Sequence, residues 1–342
     1  MASVTLSDVA REAGVSLATA SRAINGSANR TVRPELQQRV LATAARLGYS
    51  PDANAQAMAR GRTSTLGLIV HDIADPYFSS IAAGVTTAAE AAGLMVTLAS
   101  TGHRPEKELA FVDVLQSQRA RAIVIAGGRQ DDQEVNERLR AALSTYRSRG
   151  GTVAAIGQSI LDVHTVAIHN VGGAGDLARA LHGRGYRDFA VLTGPGPHLT
   201  ARERTEGFTT ALAELGTNVR ADRVVASEFT RDGGYRAMTD LIARVGREGL
   251  AACAVFAVND VMAMGAMAAA REAGLRVGES VGIAGFDDIV TLRDITPGLS
   301  TVAVPLVDAG VRATRMALDS DGEIVVEQLD ATVVLRDSTP GP

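Results

Sequence analysis

The chain has 342 residues, 46% hydrophobic and only 4% aromatic, with no tryptophan, one cysteine and a formal net charge of −4. That length allows two or three domains with aliphatic cores, and a single cysteine excludes an internal disulfide framework and fits a reducing compartment. No stretch approaches the ~18 uncharged apolar residues of a membrane span, and MASVTLSDVAREAG, charged at 8, 11 and 12, has no signal-peptide apolar run, so the expected setting is the cytoplasm.

The charge is unevenly spread. Residues 1–60 hold seven arginines against four acids, whereas the remaining residues hold 27 basic and 34 acidic groups. A small basic head on a larger acidic body suggests a polyanion partner for the head alone. In chain order, Thr5-Leu6-Ser7-Asp8 suits a helix start, with Thr5 as N-cap and an acid three residues on. Leu6, Val9, Ala10 and Ala13 then repeat at helical spacing. Gly14 ends that helix, Val15 turns inward, and Ser16 caps a second helix running to about Ile24. Two short helices joined by a glycine-containing turn form the helix-turn-helix signature. Pro34 opens a third helix with Leu36, Val40, Ala44 and Leu47 on one face, and Gly48 closes it. The expected core is Leu6, Val9, Ala10, Val15, Ala20, Ile24, Val40 and Leu47, within a domain spanning 1–50.

On the second helix, Leu17, Ala18 and Arg22 lie away from the inward Val15, Ala20 and Ile24. Ser16, Thr19, Ser21 and Asn25 add hydroxyls and an amide around them. A recognition helix lies in the major groove with its N-terminal residues on base edges. There Arg22 can bond a guanine bidentately, Leu17 and Ala18 can meet thymine methyls, and the hydroxyls can hold phosphates.

SPDANAQAMARGRTST, 50–65, follows: Pro51 breaks the chain, an alanine-rich stretch gives one or two helical turns, and Gly61 begins a polar linker. Such a helix is too short to be stable alone in water, so 51–64 reads as a hinge segment that a partner orders. From 65 the pattern alternates between apolar runs (LGLIV, LMVTLAS, AIVIAG, TVAAIG, FAVLTG, CAVFAV, VGIAGF) and helical stretches. This implies βαβ units with parallel sheets covered on both faces. The reading is two α/β subdomains, about 65–160 plus 290–320 and 161–289 plus 321–338, with a break near Gly157–Asp162. A ligand site is expected beyond the strand C-termini, in the cleft between them.

An enzyme is the first rival. Gly173-x-Gly175-x-x-Ala178 hints at a dinucleotide fingerprint, but no acid ends a following strand about 20 residues on. The six histidines (71, 103, 164, 169, 182, 198) show no metal-ligand spacing, and no nucleophile-base set is indicated. Neither a metal nor a cofactor is expected. An exported solute-binding protein is the second rival, and it would need a signal peptide.

VTLSDVAREAGVSLATASRAING resembles the N-terminal signature of the LacI/GalR family of bacterial transcription regulators, nearly position for position. LGYSPDANAQAMARGRT looks like that family's hinge segment. The resemblance continues through LGLIVHDIADPYFSSIAAGV, RERTEGF, VFAVNDVMAMGAM, VGIAGFDDI, LSTVAVPLVDAG and VVLRDST. It implies an all-α helix-turn-helix headpiece and hinge helix, followed by a periplasmic-binding-protein-like body of two parallel-sheet subdomains joined by three crossovers. The implied function is a repressor, a homodimer on pseudo-palindromic operator DNA whose affinity is set by a small molecule, a sugar or sugar derivative by family habit. A nucleobase or another metabolite remains open, and induction and corepression use the same parts.

By resemblance the DNA-contacting residues are Thr5, Ser16, Leu17, Ala18, Thr19, Ser21, Arg22, Asn25, Tyr49 and Met58, the last as a wedge in the minor groove. Arg204 and Asp287 match a charged pair that clamps the effector, Asn259 a polar contact, and Tyr77, Phe78 and Phe229 aromatic walls. Asp260 is expected to support its helix start. The chain departs from the family at several points. Met58 replaces a leucine, Gln56 an arginine, His169-Asn170 the usual DN, RARAIVIAG the usual RVDGIILAG, and Gly157-Gln158 stands where an acid is frequent. No heptad segment follows VVLRDST, so assembly beyond a dimer is not expected.

Overall fold

A computed structural model describes residues 4–25, 31–50, 62–319 and 322–342. The hinge helix expected near 53–60, with Met58 and Gln56, lies outside the described residues. The chain divides into two compact units, Met1–Ser64 and Thr65–Pro342.

In the first unit, α1 (Leu6–Glu12) starts from a complete capping box: Asp8 N–H donates to the Thr5 side chain, and the Asp8 carboxylate accepts from Thr5 N–H. Gly14, at φ +63°, turns the chain, and Ser16 Oγ accepts from Thr19 N–H at 3.1 Å to begin α2 (Leu17–Asn25). In α3 (Pro34–Leu47) proline occupies the first turn and Gly48 takes the left-handed conformation at the end. Val9, Ala10, Ala13, Ala20, Ala23, Val40 and Ala44 are buried, with Leu6, Val15, Ile24, Leu47 and Tyr49 packed around them. Small side chains let three short helices approach closely.

The second unit opens with β1 (Thr65–Val70), α4 (Pro76–Ala91), β2 (Met95–Ser100), α5 (Pro105–Ser117), β3 (Ala122–Ala126), α6 (Gln133–Ser148), β4 (Thr152–Ile156) and β5 (His164–Ile168). The second half contains α7 (Asn170–Gly183), β6 (Asp188–Thr193), α8 (Leu199–Glu214), β7 (Val224–Ala226), α9 (Arg231–Val245), β8 (Cys253–Ala257), α10 (Asp260–Glu272) and β9 (Val281–Ala284). The chain ends with β10 (Thr301–Ala303), α11 (Leu306–Leu318), β11 (Val326–Leu329) and β12 (Thr332–Val334). One parallel sheet has the order β11-β5-β4-β3-β1-β2, the other β7-β6-β8-β9, and β10 pairs antiparallel with β12.

This corrects the subdomain boundaries read from sequence. β5 pairs with β4, and β11 pairs with β5, so the first sheet runs through Ile168 and regains residues 326–329. Crossing between the halves falls after β5, after β10 and after β11. His164 and Thr165 interrupt the apolar run of β5 but are buried, and so the strand does not announce itself by hydrophobicity. β10 belongs with the second half: Ala284 bridges to Ser300 and Asp287 to Ala303. α11 packs instead on α4 and on β3, β4 and β5 of the first half. A Cβ on Gly84 would overlap the Val307 carbonyl oxygen, and one on Gly310 would overlap that of Ile81, so α4 and α11 touch backbone to backbone.

Candidate functional site

Two surfaces carry the residues singled out from sequence, one in each unit. On the head, Ser16, Leu17 and Ala18 are exposed and Arg22 is half-buried. Arg22 Nε donates to the Ala18 carbonyl at 2.9 Å, which steers the side chain along the helix. Ser16 Oγ lies 2.8 Å from Thr19 Oγ1, and Asn25 Nδ2 donates to Ser21 Oγ at 3.3 Å. Thr5 is occupied by its capping box, where its hydroxyl donates to Asp8 Oδ2 at 2.7 Å. Tyr49 packs against the head's core.

In the body a cleft is lined by Asp75, Tyr77, Phe78, Phe229, Asn259 and Asp287, together with His71, His103, Gly128, His198 and Thr200. Five of the six residues carried over by resemblance therefore meet in one place. Each is set there by a local device. Asp75 caps α4, Oδ1 accepting from Tyr77 N–H at 2.9 Å, which fixes the following Tyr77 and Phe78. Their rings meet edge to face with centroids 4.9 Å apart. Phe229 stacks on His198 at 4.6 Å, and His198 caps α8 by accepting from Ala201 N–H through Nδ1. Asn259 caps α10, accepting from Met262 N–H at 2.9 Å.

Arg204, expected to clamp the ligand, instead sits behind the wall: its side chain is 1% exposed, and it is not among the residues lining the cleft. Nη2 donates to Asp287 Oδ1 at 2.7 Å, Nε to Asn170 Oδ1 at 2.9 Å and Nη1 to the Val258 carbonyl at 2.8 Å. The guanidinium carbon lies 3.8 Å from the Phe286 ring centroid. Burial selects this arrangement, because a desolvated guanidinium needs most of its donors matched. Arg204 thus orients Asp287, which does face the cleft. Asp287 and Asp288 both have positive φ, 118° and 53°, a backbone strain of the kind that concentrates at binding sites. Asp260, expected to support its helix start, instead ties down two distant segments: its carboxylate accepts from Ile289 N–H at 3.0 Å and from the Thr301 hydroxyl at 2.6 Å, while Asn259 caps the helix.

Three histidines escaped sequence reasoning because they are far apart in the chain. His71 follows β1, His103 lies just past β2 and His198 past β6. All three lie beyond strand C-termini, which is the signal that could have found them. The His71 and His103 rings are 5.2 Å apart. His71 Nε2 accepts from Arg129 Nη2 at 3.3 Å, and Arg129 grips Glu108 at 2.7 and 2.6 Å through two nitrogens. Burial, then the Arg129 charge, holds His71 well below the usual imidazole range; burial, then Arg204, pushes His198 down to about 4. Both rings are neutral at pH 7. Burial raises Asp75 to about 6. A second pocket adjoins through His71, His103, Gly128 and His198, with Arg104, Arg129 and Asn136 in its wall.

The two halves are stitched beside this cleft. Gln158 Oε1 accepts from Arg129 N–H at 2.8 Å, while its Nε2 donates to Thr200 Oγ1 and Glu203 Oε2 at 3.0 and 2.9 Å. Asn170 Nδ2 donates to the same Glu203 oxygen at 2.8 Å. An acid at 158 would face Glu203, so glutamine suits this chain. Among the described residues, no group of three or more His, Cys, Asp or Glu side chains could hold a metal ion, and no helix is long and apolar enough to cross a membrane.

A helix-turn-helix head with a two-sheet ligand-binding body defines a DNA-binding transcriptional regulator. Residues 5–52 match the bacterial regulatory proteins of the lacI family, and residues 178–339 match a periplasmic binding protein-like domain. The chain is 34% identical over 316 residues to the HTH-type transcriptional repressor PurR of Erwinia tasmaniensis, spanning 92% of this chain and 89% of that one. It is 29% identical over 341 residues to the HTH-type transcriptional regulator DegA of Bacillus subtilis, spanning 98% of each. The solved complex of the transcriptional regulator CelR with cellobiose is similar at 28% identity and a TM-score of 0.69, covering 98% of this chain and 99% of that one. The lac repressor bound to ONPG in the repressed state shares the fold, with a TM-score of 0.82 at 24% identity and coverage of 99% and 100%. The chain belongs to the lacI family of bacterial regulatory proteins. Its activity is DNA binding that regulates transcription, not catalysis.

Proposed function

We propose that this protein is a cytoplasmic, homodimeric repressor whose affinity for a pseudo-palindromic operator is set by an uncharged polyhydroxylated effector, a sugar or sugar derivative, held in the body cleft. The single observation that carries this reading is the convergence of Asp75, Asp287, Asn259 and Thr200 with the faces of Tyr77, Phe78 and Phe229 on one cleft. Acceptors and donors gathered between aromatic walls suit ring hydroxyls packed against apolar ring faces. The buried cations beside the cleft are spoken for, Arg204 by Asp287 and Arg129 by Glu108. A phosphorylated ligand would find no free buried charge there.

On the head, α2 reads the major groove: Arg22 bonds a base edge, Leu17 and Ala18 make apolar contacts, and Ser16, Thr19, Ser21, Asn25, Thr5 and Tyr49 hold the backbone register. Residues 51–64 form the hinge, with Met58 as an apolar wedge between base steps. Effector binding changes the angle between the body halves and so whether paired hinges fit the DNA. That coupling is reciprocal and typically about 1–3 kcal/mol.

The test selects operators from random duplexes, then measures affinity at fixed salt with and without neutral sugars, sugar phosphates and nucleobases. A neutral sugar that shifts operator affinity, with the shift lost in Asp287→Asn, supports the reading. A sugar phosphate or nucleobase as sole effector overturns the ligand class.

A further inference from the structure

We infer that Arg336 is a positioning residue for the cleft: by gripping Asp288 it holds the turn that presents Asp287 to the effector. This rests on the reading of Asp287 as an effector contact.

Three residues in succession, 287 to 289, are each tied by a different anchor. Asp287 N–H donates to the Val302 carbonyl at 2.8 Å, and its own carbonyl accepts from Val304 N–H at 3.2 Å. Its carboxylate is held by Arg204. Ile289 N–H donates to the buried Asp260. Between them stands Asp288, at φ +53° directly after Asp287 at +118°. Two consecutive side-chain-bearing residues with positive φ persist only where their surroundings over-determine them.

The anchor of Asp288 comes from far along the chain. Arg336 lies two residues past β12, and its Nη2 donates to Asp288 Oδ1 at 2.8 Å. The arginine is itself fixed against the end of β10. Nη1 donates to the Leu299 carbonyl at 2.8 Å, and Arg336 N–H donates to Ser300 Oγ at 2.7 Å, whose hydroxyl donates back to the Arg336 carbonyl. The Arg336 and Asp288 side chains are 31% and 27% exposed, and an ion pair open to solvent adds little to folding stability. Its effect is geometric. Without Arg336, Asp288 can leave the left-handed region, and the turn carrying Asp287 shifts with it. Arg336 is not among the residues lining the cleft, so it acts through Asp288 and not on the effector.

The experiment uses the full chain, an operator selected from random duplexes, and a panel of neutral pentoses, hexoses and their disaccharides. The probe is the sugar that shifts operator affinity most. Arg336→Ala is expected to weaken its binding about tenfold, the loss of one charge-assisted hydrogen bond, while operator affinity without sugar and the urea midpoint stay unchanged. Asp288→Ala does the same, and the double variant is no worse than either alone. Asp288→Asn keeps an oxygen for Arg336 and tolerates a left-handed backbone, so it retains most of the affinity. A merely structural pair would lower the midpoint and leave sugar affinity alone. Undiminished sugar binding in Arg336→Ala, or losses that add in the double variant, overturns the inference. A second measurement needs no sugar: amide exchange of residues 285–292 is expected to quicken in Arg336→Ala while that of α8 and α10 holds, and unchanged exchange across 285–292 overturns the inference by itself. Asp287→Asn separates this from the underlying reading. If it keeps full sugar affinity, the cleft assignment fails; if it loses affinity and Arg336→Ala does not, only the role of Arg336 falls.

Discussion

The head and the body solve opposite problems. The head closes a core of mostly alanine and valine with helix ends that carry their own stop and start signals: the Thr5–Asp8 box, Gly14, Ser16, Pro34 and Gly48. Its information is local, within four or five residues. The body's cleft is assembled from loops scattered between residues 71 and 287, and its wall is stiffened by buried charges whose partners lie 21 to 83 positions away in sequence. Local devices fail gently, whereas a buried ion pair that loses one member leaves a charge stranded.

That contrast makes graded predictions. The largest effect is expected for Arg204→Ala, which strands Asp287 at the base of the cleft. Urea unfolding of the full chain should show the body less stable by about 3–5 kcal/mol, with effector response lost. An unchanged unfolding midpoint would break the comparison. Next comes Gly84→Val, which forces α4 off α11. Overpacking there is expected to cost about 2–3 kcal/mol, read from the body's thermal transition, with the head's transition unmoved.

The third prediction concerns pH. His198 has a folded value near 4 against about 6.5 when unfolded, so the unfolded chain binds the proton more readily. The neutral ring's contribution is therefore complete above pH 6.5 and is lost as pH falls toward 4. By this group alone, the body should be about 2 kcal/mol less stable at pH 5 than at pH 7.5. His198→Asn retains an oxygen for Ala201 N–H and should flatten that part of the pH dependence; equal slopes would refute it. The smallest effect is Thr5→Ala, which removes the box on α1. The head should lose about 1 kcal/mol, seen as faster hydrogen exchange of its amides while those of the body keep theirs.

Legibility follows the same division. Thr5, Gly14, Ser16, Pro34 and Gly48 could be placed from sequence because caps and turns are set by the residue itself. Seven strands could be found because they are continuous apolar runs, the pattern of parallel strands covered on both faces, although β2, at the sheet edge, is largely exposed. β5 and β11 could not, since His164-Thr165 and Glu327-Gln328 break the pattern, and only pairing with β4 and β5 assigns them to a sheet. Tyr77, Phe78, Phe229, Asn259 and Asp287, carried over by resemblance, line one cleft, which Asp75 joins without having been singled out. Arg204 lies behind them because desolvation, invisible in a motif, decides which of its donors face outward. The histidine trio was hidden for a simpler reason: spacing along the chain says nothing about loops that meet only once two sheets confront each other.

The glycine contact between α4 and α11 has a mechanical corollary. α11 enters the first half immediately after the β10 crossover, and the flush seam at Gly84 and Gly310 leaves it no room to slip lengthwise. Any rotation of one half against the other is then borne by three short straps of backbone, at residues 169, 304–305 and 330–331. Those three straps are the only described backbone that joins the two halves.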